Sequence, residues 1–210
     1  MLTLYGVYRS RASRPLWLLG EAGVPFTHVP VIQGYRVAEG SDPGMWTTAT
    51  PEFRAVNPMG QVPALTDGDL LLTESLAITL YLARAYGGAL GPKDPAEGGE
   101  MLNWAFFAAT AIEPLSILIL QTPAEDAEAI AAAADRMRRP LARLEAHVAG
   151  REWLLDRFTA ADICVAECLR YAQGHAALVA EFPLTFGWLA RCQARPAFKA
   201  MWAGRMAEPA

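Results

Sequence analysis

Ten residues, Tyr86-Gly87-Gly88-Ala89-Leu90-Gly91-Pro92-Lys93-Asp94-Pro95, hold three glycines and two prolines and divide this sequence into stretches of different periodicity. Before them, strand-like and helix-like patterns alternate, which marks an α/β unit. Beyond them the chain turns Ala-, Leu- and Arg-rich at helical spacing, and nothing reads as a strand. With 210 residues to share, two modest domains are expected: an α/β domain over 1–85, a linker over 86–95 and an all-helical domain over 96–210.

Within the first part, Leu2 to Tyr5 reads as a short strand. Arg14 to Ala22 reads as a helix closed by Gly23 and then Pro25. Phe26 to Val31 is the next strand, completing a βαβ unit. Ile32 to Asn57 lacks a sustained period and reads as a long loop with a short helix over Glu52 to Val56. Pro63 to Thr66 and Leu70 to Leu72 flank an Asp67-Gly68 hairpin signal. A helix follows Thr73-Glu74-Ser75, with Ala77, Ile78, Tyr81, Leu82 and Ala85 at its period. Pro114 and Pro140 lie in helical stretches that they should kink or end.

The 18 basic and 22 acidic side chains are well mixed, giving a net charge of -4 and no electrostatic footprint for nucleic acid or an anionic membrane. No apolar run in the sequence reaches the ~18 residues of a membrane span. The opening residues lack the pattern of a secretory signal, so a cytoplasmic location is expected. Hydrophobic content is 53%, high enough to suggest apolar surface buried between subunits. Cys164, Cys168 and Cys192 form neither a disulfide framework nor a zinc site and read as core thiols; no metal is implied.

Three short motifs carry chemistry. At the turn into the first helix, a thioredoxin-like redox protein would place Cys-x-x-Cys, where the helix dipole stabilises a thiolate. Here the spacing is Ser10-x-x-Ser13 and the N-terminal half has no cysteine, so if the domain does sulfur chemistry the sulfur must arrive with a substrate. A serine hydroxyl donating to that sulfur would favour its anion, with Arg9, Arg11 and Arg14 acting in the same direction; plain helix capping by Ser10 or Ser13 is the other reading. In the second motif, Asn57 to Leu65, a cis Val62-Pro63 bond would turn the Val62 backbone toward a peptide-like ligand. In the third, Thr73-Glu74-Ser75 opens a helix, where a carboxylate and a hydroxyl suit the zwitterionic end of an amino acid, or simply cap the helix.

In order and separation, these motifs and Trp153-Leu154-Leu155 with Phe158-Thr159-Ala160-Ala161-Asp162-Ile163 resemble cytosolic glutathione transferases, nearest to their serine-type, theta-like bacterial members. That resemblance implies a thioredoxin-like N-terminal domain binding glutathione as cosubstrate and an all-α C-terminal domain receiving an apolar electrophile. It implies Ser10 as the catalytic hydroxyl, with Ser13 as second candidate because Tyr8 stands where many members have proline. It implies Val62 before a cis Pro63 on the cysteinyl unit, Glu74 and Ser75 on the γ-glutamyl end, and Gln61 near the ligand. A detoxifying conjugation and a homodimer follow from the same resemblance, with a glutathione-dependent isomerase or dehalogenase, or a non-catalytic binding protein, as alternatives. Tyr5, inside the first strand, reads as a packing residue. Trp104 and Phe107, just past the linker, are candidates for the acceptor pocket. Thr159-Ala160-Ala161-Asp162 has the form of a capping box.

Overall fold

The order of elements begins β1 (Leu2–Tyr5), α1 (Ser13–Ala22), β2 (Thr27–Val29), β3 (Val31–Ile32), β4 (Trp46–Thr47), α2 (Pro51–Val56), β5 (Ala64–Asp67), β6 (Leu70–Leu72) and α3 (Ser75–Tyr86) in a computed structural model that describes residues 1–208. The main sheet has the order β2-β1-β5-β6. β2 runs parallel to β1, with Tyr5 opposite Val29, while β5 and β6 are antiparallel to their neighbours. Gly23 closes α1 in the left-handed conformation and donates to the Leu19 carbonyl, as a glycine stop does. Leu4 and Leu65 pair across the ladder and are fully buried on one face. Tyr5 and Ala64, the next pair, face the opposite way, where Val31 and Phe53 are buried with Trp46 and Val56 packed around them.

The second strand is shorter than its apolar run. Pro30 has no N–H for the ladder, so β2 ends at Val29, and Val31–Ile32 pairs instead with Trp46–Thr47 in a separate two-stranded sheet. The long connecting segment therefore contains structure: a 3-10 turn over Gly34–Arg36, then β4 and α2.

The second series is α4 (Pro95–Phe107), α5 (Glu113–Gln121), α6 (Ala127–Val148), α7 (Ala160–Leu169), α8 (Ala176–Glu181), α9 (Pro183–Gln193) and α10 (Pro196–Ala207). The chain forms two units, Met1–Gly88 together with residues from Pro196 onward, and Ala89–Arg195. Thus α10, which the helical pattern had placed with the domain over 96–210, belongs to the first unit. Its Phe198 meets Trp17 of α1 edge-to-face, ring centroids 4.8 Å apart, and stacks on Trp202.

In the second unit, α4 and α5 are joined without a break by a π-helical turn over Ala108–Ile112. Pro114 lacks an N–H at the first turn of α5, and the wider turn before it absorbs the lost bond. The joined helix, Pro95–Gln121, is long and apolar enough by length and composition to cross a bilayer, which its separate apolar runs are not. Its Met101, Trp104, Ile112 and Leu115 are buried. Core helices share that length and composition. Pro140 neither ends α6 nor interrupts its buried stripe of Met137, Leu141 and Leu144.

Two acidic side chains fasten this unit. Thr159 and Asp162 form the complete capping box of α7, a helix whose ten residues are all buried. Glu97, buried at the start of α4, accepts two bonds from Arg157 at 2.7 and 2.9 Å and one from the Lys93 N–H. Arg157 also donates to the carbonyls of Ala89 and Gly91, tying down the glycine- and proline-rich segment. Its guanidinium holds the Glu97 carboxyl at about 2, down from 4.5. A depressed folded-state value contributes stability above the unfolded value and loses it as pH falls. Thermal unfolding is therefore expected to drop in midpoint between pH 4.5 and 2, with a flatter profile in Glu97→Gln; identical pH profiles for the two proteins would contradict this ion pair.

Candidate functional site

Strand register gathers the three motifs at one end of the main sheet. Tyr5, the last residue of β1, lies opposite Ala64, so the turn leaving β1 starts beside the Val62–Pro63 segment that leads into β5. Leu72, the last residue of β6, lies opposite Leu65, so Glu74 and the start of α3 come back to the same end. Gly6 makes the approach close enough. Its φ is 139°, and a Cβ there would sit 2.9 Å from that of Ala12 and 3.5 Å from that of Val62.

Ser10 lies in the turn ahead of α1 and is only 8% exposed. Its hydroxyl donates to the Val7 carbonyl at 2.6 Å and accepts the Ala12 N–H at 3.0 Å. The side chain thus holds the turn together while its oxygen stays at the helix mouth. Ser13 is the first residue of α1 and is fully buried, and the helix N-cap is Ala12, so neither serine caps α1 in the usual position.

The Val62–Pro63 bond is cis. The turn before it is built by Asn57, 2% exposed, whose side chain donates to the Gln61 carbonyl at 2.7 Å and accepts the Met59 N–H at 3.2 Å. Gln61 is exposed and Val62 half-buried.

At the third motif, Glu74 is the N-cap of α3 with φ 58° and ψ 104°. Among the described residues it alone is a non-glycine with positive φ. Such a backbone costs of order 1–3 kcal/mol and collects at functional sites. Ser75 is not a cap: its hydroxyl accepts from the Arg14 guanidinium at 2.8 Å, and its carbonyl accepts from Thr79. Arg14 is 1% exposed, so this bond ties α1 to α3 beneath the site. Tyr5 stacks on Trp46 at 6.4 Å and packs against Phe53, a structural place.

Trp104 and Phe107 are both buried in the second unit. Their rings meet edge-to-face at 5.6 Å, with the Arg143 guanidinium over both and His147 against Trp104. Both side chains pack within that unit. Phe106, between them, is 66% exposed. The three cysteines are buried, and burial pushes the Cys192 thiol well up.

A family model described as the glutathione S-transferase N-terminal domain matches residues 4–90, and one described as the C-terminal domain matches residues 106–196. Glutathione S-transferase 3 of Zea mays is 33% identical over 100% of this chain and 90% of its own length. This chain belongs to the glutathione S-transferase family. Among solved transferases, glutathione transferase F7 from Populus trichocarpa superposes with a TM-score of 0.80 at 27% identity, covering 97% of this chain and 99% of its own. The theta class glutathione S-transferase from Xanthomonas axonopodis pv. citri, solved with glutathione bound, has a TM-score of 0.73 at 31% identity, covering 95% of each chain. Both agree with a thioredoxin-like unit followed by helices.

Some residues of this candidate site carried little signal in the sequence. Arg14 stood among arginines expected to act on the sulfur through charge, and it is buried and donates to Ser75. Asn57 was part of a recognised turn, with nothing to mark it as the side chain that builds it. Glu74 was singled out for its carboxylate; its left-handed backbone had no signature at all.

Proposed function

We propose that this transferase is a serine-type enzyme that binds glutathione at the end of its main sheet, holds the thiol as its anion with Ser10, and conjugates it to apolar electrophiles. The observation that carries the reading is the convergence of the Ser10 turn, the cis Val62–Pro63 segment and the left-handed Glu74 on one sheet end. In this reading the Val62 backbone pairs with the cysteinyl unit, and Gln61 lies beside the ligand. Glu74 meets the γ-glutamyl ammonium. Ser75 receives a hydrogen bond from Arg14, which leaves its own proton for the γ-glutamyl carboxylate at the mouth of α3.

For Ser10 the step is a change of hydrogen-bond partner. Its proton leaves the Val7 carbonyl for the sulfur, while the Ala12 N–H goes on polarising the oxygen. A bond to a charged group is worth ~1.5–3 kcal/mol and a neutral one ~0.5–1.5, so the exchange favours the thiolate by ~1 kcal/mol or somewhat more. That corresponds to a thiol pKa lowered by about one unit. Catalysis is then thiolate supply plus proximity.

The serine-type, theta-like assignment rests on Ser10 and its turn, since the relatives include plant proteins as well as a theta-class structure. A detoxifying cytoplasmic role follows from the substrate class. A homodimer is proposed from the apolar side chains that α4 and α5 leave exposed, Leu102, Phe106, Leu118 and Leu120; sedimentation would measure it. The functional reading is tested by calorimetric titration with glutathione and by conjugation of a generic aromatic electrophile. Wild type should bind and turn over, and Glu74→Ala should weaken binding by roughly tenfold or more, the scale of one lost charged bond. Uptake of glutathione without any conjugation would make the chain a binding protein, and no uptake would refute the reading.

A further inference from the structure

The turn that carries Ser10 has no regular secondary structure of its own, and besides the bonds of Ser10 its backbone is held from elsewhere. The Tyr8 N–H donates to Glu208 Oε1 at 2.6 Å and the Arg9 N–H to Glu208 Oε2 at 2.8 Å, so one carboxylate spans two successive amides. Arg205 Nη1 donates to the Tyr8 carbonyl at 2.8 Å, and Arg9 Nε donates back to the Arg205 carbonyl at 3.0 Å. The Arg9 carbonyl accepts from Arg36 and Gln33. The Tyr8 ring lies over Gly204, where a Cβ would come 3.0 Å from the ring, so only glycine on that face of α10 lets the ring lie so close. Glu208 also lines a small cleft with Val7, Ile32, Arg36 and Met45, directly beside the turn.

We propose that Glu208 is a positioning residue for the transferase reaction: its carboxylate clamps the Tyr8 and Arg9 amides and so fixes the turn that aims Ser10. The proposal rests on the reading of Ser10 as the thiolate donor. Two adjacent N–H groups converging on one anion make a strong and directional hold. Glu208 lies beyond the last turn of α10, whose anchoring to α1 is through Phe198, so its loss should loosen the turn without undocking the helix. The charged and titratable groups around it are Tyr8, Arg9, Arg36 and Arg205.

Wild type, Glu208→Ala, Glu208→Gln and Ser10→Ala are compared by steady-state kinetics, by ultraviolet titration of the glutathione thiolate and by amide hydrogen exchange over residues 7–12. Glu208→Ala is expected to lower kcat about tenfold, since small misplacements of a reacting group cost up to about a hundredfold. It should leave KM for glutathione within about threefold, raise the bound thiol pKa and speed exchange at Tyr8 and Arg9. Glu208→Gln, with one acceptor oxygen left, should fall between. The melting temperature should move by no more than a few degrees. Unchanged kcat, thiol titration and exchange in Glu208→Ala would overturn the clamp. Ser10→Ala reports separately: if it leaves the thiol titration unmoved, the Ser10 reading fails, and faster or unaltered exchange at Tyr8 and Arg9 in Glu208→Ala still decides whether the carboxylate holds the turn.

Discussion

Ser10→Ala is expected to raise the pKa of the bound glutathione thiol by about one unit or more and to cut conjugation near neutral pH by roughly 10- to 100-fold. The expected titration shift follows from the exchange of a neutral for a charged hydrogen bond. The larger kinetic loss follows because the same hydroxyl also shapes the turn. It accepts the Ala12 N–H and donates to the Val7 carbonyl, and alanine leaves both backbone groups to find other partners. Stopped conjugation with an unshifted thiol titration would mean that Ser10 acts only through the turn. Ser13→Ala is the comparison, because that side chain is fully buried inside the first turn of α1. It should lower stability more than it alters the thiol.

Asp162→Ala is expected to be the most destabilising single change in the second unit. Asp162 is fully buried, and its carboxylate accepts from three N–H groups: Leu154 at 2.9 Å, Thr159 at 2.9 Å and the Trp188 indole at 3.1 Å. It therefore joins the segment before α7, the helix cap and α9. An orphaned buried donor costs ~1–3 kcal/mol, and partial relaxation of three leaves an expected loss of about 3–5 kcal/mol. For a chain of this size that is a fall of roughly 10–15 °C in melting temperature. Asp162→Asn keeps one acceptor oxygen and should lose less.

The pH dependence of that pair has a defined sign. Burial raises the Asp162 carboxyl to about 6 from 3.8, against the opposing pull of its N–H donors. Between those values the folded state binds more proton than the unfolded one, so stability from this group is greatest at low pH and declines as pH rises through about 6. The stability gap between wild type and Asp162→Asn should therefore narrow across that window, the opposite trend to Glu97. A gap that widens with pH would show that the three N–H bonds outweigh burial.

The parts legible in the sequence are those written by short-range chemistry. Asp67-Gly68 between apolar runs, Gly23 followed by Pro25, and Thr159 with Asp162 each specify a local backbone, and the structure has all three. The parts that escaped depend on what an element packs against. α10 has the same helical period whichever unit it joins, and only the meeting of Phe198 with Trp17 shows its place. Trp104 and Phe107 lie three residues apart on one helical face, but that they meet Arg143 and His147 of α6 could not be read from local spacing. Arg14 is a charge where the pattern expects an outward face, and its burial makes sense only with Ser75 brought to it from sixty-one residues away. Glu208 had no signal at all, because two backbone amides as a binding site leave no mark on composition.

At the centre of the proposed chemistry, this fold makes a borrowed thiol anionic. The most direct measurement is the ultraviolet difference spectrum of glutathione bound to the wild-type protein, followed from pH 5 to 9. Thiolate absorbance is expected with a midpoint near 7 to 7.5, about one unit or more below a free thiol at ~8.5. A bound thiol that titrates at 8.5 or above would contradict it.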